Sequence, residues 1–314
     1  MSFTLNQSVR GYYRIQVLDA HGRVIEDRPY RSNLVLNQGK NQIMGGTYSF
    51  ASCFYYCAVG TGTIPPAASD TQLGAEVKRT GTYLEGAGNC DTIIVGQEVT
   101  LRRTFDFTSE SSPVNYTELG WSGSASAGAN LFSRCLISGG TVSVLAGQQL
   151  RVVYDLVVTV GPVGVQTGPL KVSGWPVSPA TGTAGSWRVY SPAISTVSTN
   201  GGPSGQGLFE PSSSIAATCA IRSGTLSIGG FTTPPSGGTL LATSSNFGWG
   251  SYTSGTFTRT LSPSTFSAGS FSSTGIRGFW YQRVGIGMAF FFDEAQTKDS
   301  VHTLRPPSIT VTLS

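Results

Sequence analysis

The chain has 314 residues, of which 39% are hydrophobic and only 11% are charged, against roughly 25% charged residues in an ordinary globular protein. Its net charge is +4, and the basic residues are scattered. This pattern does not favour direct nucleic-acid binding, which concentrates basic residues on one face. The 41 glycines and the abundant Ser and Thr indicate a surface built from hydroxyl and backbone groups, as in β-proteins with many turns.

The sequence shows no signals for membrane insertion, secretion, disulfides or metal binding. No run reaches about 18 apolar residues, so we expect no membrane span, and the N-terminus lacks the apolar core of a signal peptide. The odd number of irregularly spaced cysteines argues against a disulfide framework, so we expect small buried apolar side chains. His21 and His302 have no second ligand nearby in sequence, so we expect no metal site and no cofactor.

In chain order, short β-branched and aromatic runs alternate with Gly, Ser, Asn and Pro, which predicts an all-β fold with little or no helix. The first such run predicts a hairpin with its turn at residues 19–22 and His21 on the surface. A short helix is expected only after Leu36. "FASCFYYCAVGTG" predicts a buried strand over 52–59, which would place Cys53 and Cys57 on one face about 13 Å apart, too far for a disulfide.

Two later segments give stronger strand signals. Residues 98–109 alternate apolar side chains with polar ones and include Arg103 on the apolar side. "VSVLAGQQLRVVYDLVVTV" predicts two strands around a turn, and the second is almost continuously apolar, as in a strand buried on both faces. After Pro162, "GPVGVQTGPL" is typical of a linker or domain edge, and weaker strands follow at 186–195, 214–221, 224–231 and 238–244.

The two halves of the chain share a faint internal similarity. Arg103-Thr104 corresponds to Arg259-Thr260, Gly120-Trp121 to Gly278-Phe279, and Phe132 to Phe290. We therefore expect two β-sandwich-like domains in tandem: an N-terminal domain, 1–162, and a C-terminal β-rich domain, 163–314. The second would be a divergent repeat of the first with Gly/Ser/Thr-rich insertions.

The segment "AVGTGTIPPAASDTQLG", residues 58–74, contains a Gly-x-Gly that could suggest a phosphate-binding loop. Such a loop must lead into a helix whose N–H groups hold the anion. Here two prolines follow, and proline removes an N–H donor. We therefore expect a loop across the end of a sandwich, and its candidate contact residues are Gly60, Gly62, Pro65, Pro66 and Asp70.

Catalytic patterns are weak, so we expect no enzyme and no catalytic residues. No Gly-x-Ser-x-Gly is present, and the two histidines lie in loop contexts. Paired carboxylates could cleave glycans, and the candidates on strands are Asp106, Glu110, Glu118, Asp293 and Glu294. Glu118 is the best single candidate, but a carboxylate that bonds a loop amide or Arg103 is the favoured interpretation.

Aromatic residues could form a sugar-binding surface if they were exposed. "FGWGSY" and "FWYQR" supply the candidates Trp249, Tyr252, Trp280 and Tyr281. Core packing explains the same residues without any ligand.

The N-terminal half resembles a recurrent pattern in virion structural proteins of tailed bacteriophages. In that pattern a G-T-G turn and an Asp-x-x-Leu segment are followed by an R-x-F strand, an E-L-G segment, an Arg-containing strand and a closing strand pair. The matching residues here are Gly60–Thr63, Asp70–Leu73, Arg103–Phe105, Glu118–Gly120, Ser133–Leu136 and Val144–Tyr154. The resemblance covers about 5–160 and implies an all-β building block of the particle, without catalytic residues to carry over.

Two functional hypotheses remain, with an enzyme as a weaker third. The first is a structural protein of the tail, neck or capsid decoration, located in the virion, whose partners are other copies of itself and other virion proteins. The alternative is a fiber or tip protein whose C-terminal loops, 173–300, bind a host-surface glycan.

Overall fold

The computed structural model describes residues 2–85, 90–95, 97–128, 130–161, 166–170, 183–190, 218–227, 236–244, 247–263, 273–283, 286–298 and 308–314. Most of these residues are in strands, so the all-β class is confirmed. The strands of the first half are β1 Ser2–Leu18, β2 Val24–Asp27, β3 Arg31–Val35, β4 Tyr56–Gly60, β5 Glu76–Thr80, β6 Asp91–Val95, β7 Glu98–Asp106, β8 Val114–Tyr116, β9 Glu118–Ser122, β10 Leu131–Leu136, β11 Val142–Val144 and β12 Gln149–Gly161. Those of the second half are β13 Gln166–Leu170, β14 Thr183–Tyr190, β15 Thr218–Ser227, β16 Ser236–Ser244, β17 Phe247–Trp249, β18 Thr258–Pro263, β19 Ser273–Arg283, β20 Ile286–Lys298 and β21 Ser308–Leu313.

The long strand β1 organises the first layer. Along one edge it pairs antiparallel with β12 from Asn6 to Leu18, and β12 continues to β7 and then β6. Its other edge is shared end to end by three strands: β21 in parallel, then β3, then β2. β12 is paired along both edges, with β1 and β7. On its outer face Val153 and Asp155 are 9% and 8% exposed, whereas Arg151 and Val157 are half-buried. The burial on both faces that its apolar sequence predicts therefore holds only for the centre of the strand.

The second layer begins where β3 leaves β1 and pairs with β10. From there the order is β10, β9, β4 and β5. After β5 the chain returns to the first layer, where the N–H of Leu84 bonds to Thr104 and that of Asp106 bonds to Thr82. The two layers face each other, and the ring of Trp121 on β9 stacks on Tyr154 of β12 with centroids 4.2 Å apart.

One short helix, α1, runs over Asn37–Gly45 after Leu36, as the sequence predicts. Gly46 ends it in the left-handed conformation, with φ 83°, which glycine adopts without steric cost. The buried residues Ile43 and Met44 join the main core.

Several strand predictions are confirmed, and others need correction. The first hairpin and the exposed His21 are confirmed. β4, however, begins at Tyr56, because residues 51–54 form turns, so Cys53 and Cys57 do not share a strand. Four of the five cysteines are buried, as expected: Cys53, Cys57, Cys90 and Cys135.

The second half contributes to two sheets. β13, β14, β20, β19, β15 and β16 form a separate six-stranded sheet, so Gln166–Leu170 is a strand rather than a linker. The two strands predicted at 214–221 and 224–231 are joined as β15 where the chain is described. β17, β18 and β21 instead extend the layer built on β1.

The proposed repeat can be compared strand by strand. β7 pairs with β12 and β18 pairs with β21, while β9 pairs with β10 and β19 with β20. However, β12 and β21 lie on opposite edges of the same strand, β1. The division at 162/163 therefore does not coincide with a division between sheets, and two separate tandem domains stay a prediction.

Candidate contact site

The loop between β4 and β5, residues 61–75, is anchored on its inner side by hydrogen bonds to one buried carboxylate. Glu118 on β9 is 0% exposed and lies opposite Gly60 of β4. Its Oε1 accepts hydrogen bonds from the N–H of Gly62 at 3.0 Å and of Ala75 at 2.7 Å, and its Oε2 accepts from Gly74 at 3.0 Å. Both ends of the loop are thereby fixed to the same side chain.

Arg134 joins this carboxylate to the middle of the loop. Its strand, β10, pairs with β9, and its side chain is 4% exposed. Nη2 donates to Glu118 Oε2 at 2.9 Å and to the carbonyl oxygen of Ile64 at 2.9 Å, while Nη1 donates to Asp70 Oδ2. Asp70 also accepts the N–H of Ala67 at 2.9 Å. One guanidinium therefore bridges two carboxylates, and the loop amides supply further donors.

The glycines of the G-T-G turn are required by the closeness of Glu118. A Cβ at Gly62 would lie 2.4 Å from Glu118 Oε1, and one at Gly60 would lie 2.6 Å from it and 2.4 Å from the carbonyl oxygen of Ala75. These distances are shorter than any real Cβ contact. The turn thus brings backbone N–H groups against a carboxylate of the protein itself, so these donors are already used and are not offered to a phosphate.

The far side of the loop is exposed and uncharged. Ile64 is 67% exposed, Pro65 is exposed and Pro66 is half-buried. Leu73 points inward and is 3% exposed in a small apolar cluster with Leu36, Ala58 and Leu131. The one charged side chain of the loop, Asp70, is directed to Arg134. The result is an uncharged outer surface, apolar around Ile64 and Pro65, on a hydrogen-bonded polar base.

The favoured interpretation of Glu118, a carboxylate that bonds loop amides, is confirmed. The other partner considered for it, Arg103, lies elsewhere. Arg103 is fully buried, donates to the carbonyl oxygens of Ala51 and Phe54, and lies 4.5 Å from the ring centroid of Tyr55. Sequence reasoning missed Arg134, although a charged residue inside the apolar run "LFSRCLI" was a usable signal.

The other candidate carboxylates also bind protein groups. Asp106 receives two hydrogen bonds from Arg151, at 2.7 and 2.9 Å. Glu110 accepts from Lys78 at 2.6 Å and from the hydroxyl of Tyr116 at 2.8 Å. Asp293 is exposed, and the side chain of Glu294 lies outside the described residues. None of the described pairs has the geometry of two free carboxylates across a cleft.

The candidate aromatic residues are not brought together as a free surface where they are described. Trp249 is half-buried, and the guanidinium of Arg259 lies 5.7 Å from its ring centroid. The hydroxyl of Tyr252 donates to Asn41 Oδ1. Both aromatic side chains pack against the main core. The side chains of Trp280 and Tyr281 lie outside the described residues.

The thiols near the site are protonated at neutral pH. Burial raises the pKa of Cys135 to about 12 and also raises the pKa of Cys57, whereas a reactive cysteine needs a lowered pKa. Among the residues that the structure describes, no group of three His, Cys, Asp or Glu side chains could hold a metal ion. Within the same residues, no helix has the length and apolar character to cross a membrane.

Comparisons of the chain with protein-family models, curated proteins and solved structures found no match. The function must therefore be argued from the geometry of the site and from the sequence pattern.

Proposed function

We propose that this protein is a structural component of a tailed-phage particle, in the tail, neck or capsid decoration, and that it acts through protein–protein contacts. The observation that carries the proposal is the loop 61–75. Its uncharged outer surface, where Ile64 and Pro65 are exposed, is anchored by hydrogen bonds to Glu118 and Arg134. A contact surface that is ordered before binding loses less conformational entropy on association.

The phage-like sequence pattern supports the same site. Four of its six segments meet there: Gly60–Thr63, Asp70–Leu73, Glu118–Gly120 and Ser133–Leu136 supply the glycines, the two carboxylates and the guanidinium. These four segments are therefore explained as residues that hold this loop, whereas the other two, Arg103–Phe105 and Val144–Tyr154, lie on β7 and across β11 and β12.

The stoichiometry of purified particles tests the proposal. Particles of the virus that encodes the chain would be purified, and its copy number measured by gel densitometry against proteins of known copy number. Tens to hundreds of copies would support a tube, shell or decoration protein, and three to twelve would support a neck, tip or fiber. Absence from the particles would overturn the proposal.

The role of the loop itself is tested by Ile64→Asp, which places a charge on its exposed surface. Val24→Asp is the matched control, because Val24 is also exposed, at 46%, on β2. We expect both variants to fold with unchanged melting temperatures, and only Ile64→Asp to reduce incorporation into particles. Equal incorporation of the two variants would show that the loop is not part of the contact between proteins.

The alternative, a fiber or tip protein that binds a host glycan, has less support. Sugar binding would need exposed aromatic faces, whereas Trp249 and Tyr252 are partly buried and engaged by Arg259 and Asn41.

A further inference from the structure

The strand β6, Asp91–Val95, is an edge strand with an apolar sequence. It pairs with β7, and among the described residues it has no ladder partner on its other edge. Ile93 and Val95 lie on its outer face and are 42% and 72% exposed. Such an edge offers N–H and C=O groups for pairing with another strand, and proteins usually protect it with charges, proline or a bulge.

The strand at the end of the other layer, β5, has this protection, and β6 does not. β5 carries Glu76, Lys78 and Arg79 and has a bulge opposite β4 that leaves Val77 outside the register. In contrast, four of the five residues of β6 are β-branched and apolar or hydroxylic, and Asp91 is its one charge. The same chain therefore protects one edge and leaves the other able to pair.

The charges beside β6 are neutralised within the chain. On the adjacent strand β7, Glu98 pairs with Arg10 and Arg102 pairs with Asp155. A second protein surface that approaches β6 therefore meets no unpaired charge on this neighbouring strand. An occupant with the same β-branched character and little charge fits better than a strongly acidic or basic partner.

We propose that β6 pairs with β6 of a second copy of this chain, antiparallel and about a two-fold axis that passes beside Ile93. This register pairs all five residues of the strand. It places Ile93 opposite Ile93 of the second copy and Asp91 opposite Val95, so that the two carboxylates lie about 13 Å apart along the strand. The contact is isologous, since the same segment serves both copies, and it joins two β1-centred layers into one continuous sheet.

This inference goes beyond the proposed function and does not depend on it, because the pairing belongs to the isolated protein. The strand is short, and the contact buries less surface than the 1,200 Å² or so of a stable independent interface. We therefore expect a weak dimer in dilute solution that is favoured where many copies are held close together.

Cysteine trapping detects a weak pairing and reports its register. Directly opposed residues in an antiparallel pair have Cα atoms about 4.5–5.5 Å apart, within the range for a disulfide. In Ile93→Cys protein under mild oxidation, we expect a disulfide-linked dimer to form at least about tenfold faster than in Val24→Cys protein. The control position is on β2 and has a similar exposure, 46% against 42%.

The neighbouring positions give a stricter control. Asp91→Cys and Val95→Cys should each form little dimer alone, because like positions lie about 13 Å apart, but a mixture of the two should form the mixed dimer. The unsubstituted chain, whose described cysteines are buried, should form none. The proposal is overturned if Ile93→Cys is trapped no faster than Val24→Cys, or if Val95→Cys alone forms dimer as fast as the mixture.

A second measurement does not depend on added cysteines. Ile93→Lys places two like charges at the two-fold axis and should abolish concentration-dependent association in analytical ultracentrifugation, with an unchanged melting temperature. Unchanged association would overturn the proposal. The outcome can be distinguished from that of the proposed function. If the dimer is trapped but the protein is absent from the particles, only the virion role is wrong. If the protein is in the particles but no dimer is trapped, only the β6 pairing is wrong.

Discussion

At the scale of single residues, Glu118 is the side chain on which the loop most depends. Its carboxylate accepts three backbone N–H groups and one guanidinium while fully buried. Removal of one partner from a buried ion pair costs about 3–5 kcal/mol, and the loss here should lie at the lower end because Arg134 keeps its contact with Asp70. We predict that Glu118→Gln lowers the free energy of unfolding by about 3 kcal/mol, measured by urea denaturation.

Glu98→Gln is the control for that variant. Glu98 also pairs with an arginine, Arg10, but both side chains are about half exposed, and such pairs contribute about 1 kcal/mol or less. A loss for Glu118→Gln no larger than the loss for Glu98→Gln would mean that the buried site does not stabilise the fold.

Asp19 gives a prediction about pH. The backbone N–H of Arg23, and then its side chain, lower the pKa of Asp19 to about 2, with a further N–H from His21. Because the folded pKa lies below the unfolded value, the contribution of this carboxylate to stability is complete above about pH 4. It is lost as the pH falls through 2. NMR titration should place its midpoint near 2, and the stability difference from Asp19→Asn should shrink below pH 4. A midpoint near 4 would show that these hydrogen bonds do not lower the pKa of Asp19.

At the scale of elements, the alternating patterns were the most informative part of the sequence. β7 shows buried side chains at every second residue from Val99 to Phe105, as its sequence predicts. The predicted start of β4 was wrong because Ala51, Cys53 and Phe54 are as apolar as the strand but are buried in turns. Apolar content predicts burial, but it does not distinguish a buried turn from a buried strand.

The loop 61–75 was predicted as a loop, but the cause of its shape could not be predicted from local sequence. The N–H of its Gly62 bonds to Glu118, which is 56 residues away in sequence. Its carboxylate Asp70 bonds to Arg134, which is 64 residues away. Such contacts depend on the order β10, β9, β4 in the second layer. Only the unusual charges in the apolar strands indicated that buried partners had to exist.

Gly62→Ala tests the loop as an element. Its Cβ would lie 2.4 Å from Glu118 Oε1, so the carboxylate must move and its bonds to the loop amides must lengthen. We predict a loss of about 2 kcal/mol in unfolding free energy, in the range for a disrupted buried hydrogen-bond network. Hydrogen exchange at Gly74 and Ala75 should become faster.

Gly45→Ala is the matched control for that change. There the nearest side-chain atom to the new Cβ is Tyr252 Cδ1 at 3.5 Å, an ordinary contact, and the position lies at the end of α1, where alanine is the better helix former. Its stability should be unchanged or slightly higher. If the two variants behave alike, the close approach at Gly62 has no energetic consequence.

At the scale of the whole molecule, the sequence predicted two halves in series, but three strands of the second half, β17, β18 and β21, belong to the layer built on β1. β21 carries the buried residues Ile309, Val311 and Leu313 and lies between β1 and β18. No local pattern identifies which strand an isolated six-residue strand will join, because parallel pairing depends on the path of the chain in between. The faint repeat favoured separation at 162/163, and the pairing of β21 with β1 opposes it.

Val311→Asp tests whether the stability of the first half depends on β21 of the second half. Val311 is fully buried opposite Leu5 of β1, and an unpaired buried carboxylate costs several kcal/mol. If the layer is one cooperative unit, hydrogen exchange in β12, on the far edge of β1, should become at least about 100-fold faster. Thr312→Asp, on the half-buried side of the same strand, should leave it nearly unchanged. Unchanged exchange in β12 with Val311→Asp would show that the first half is stable without β21, as two independent domains require.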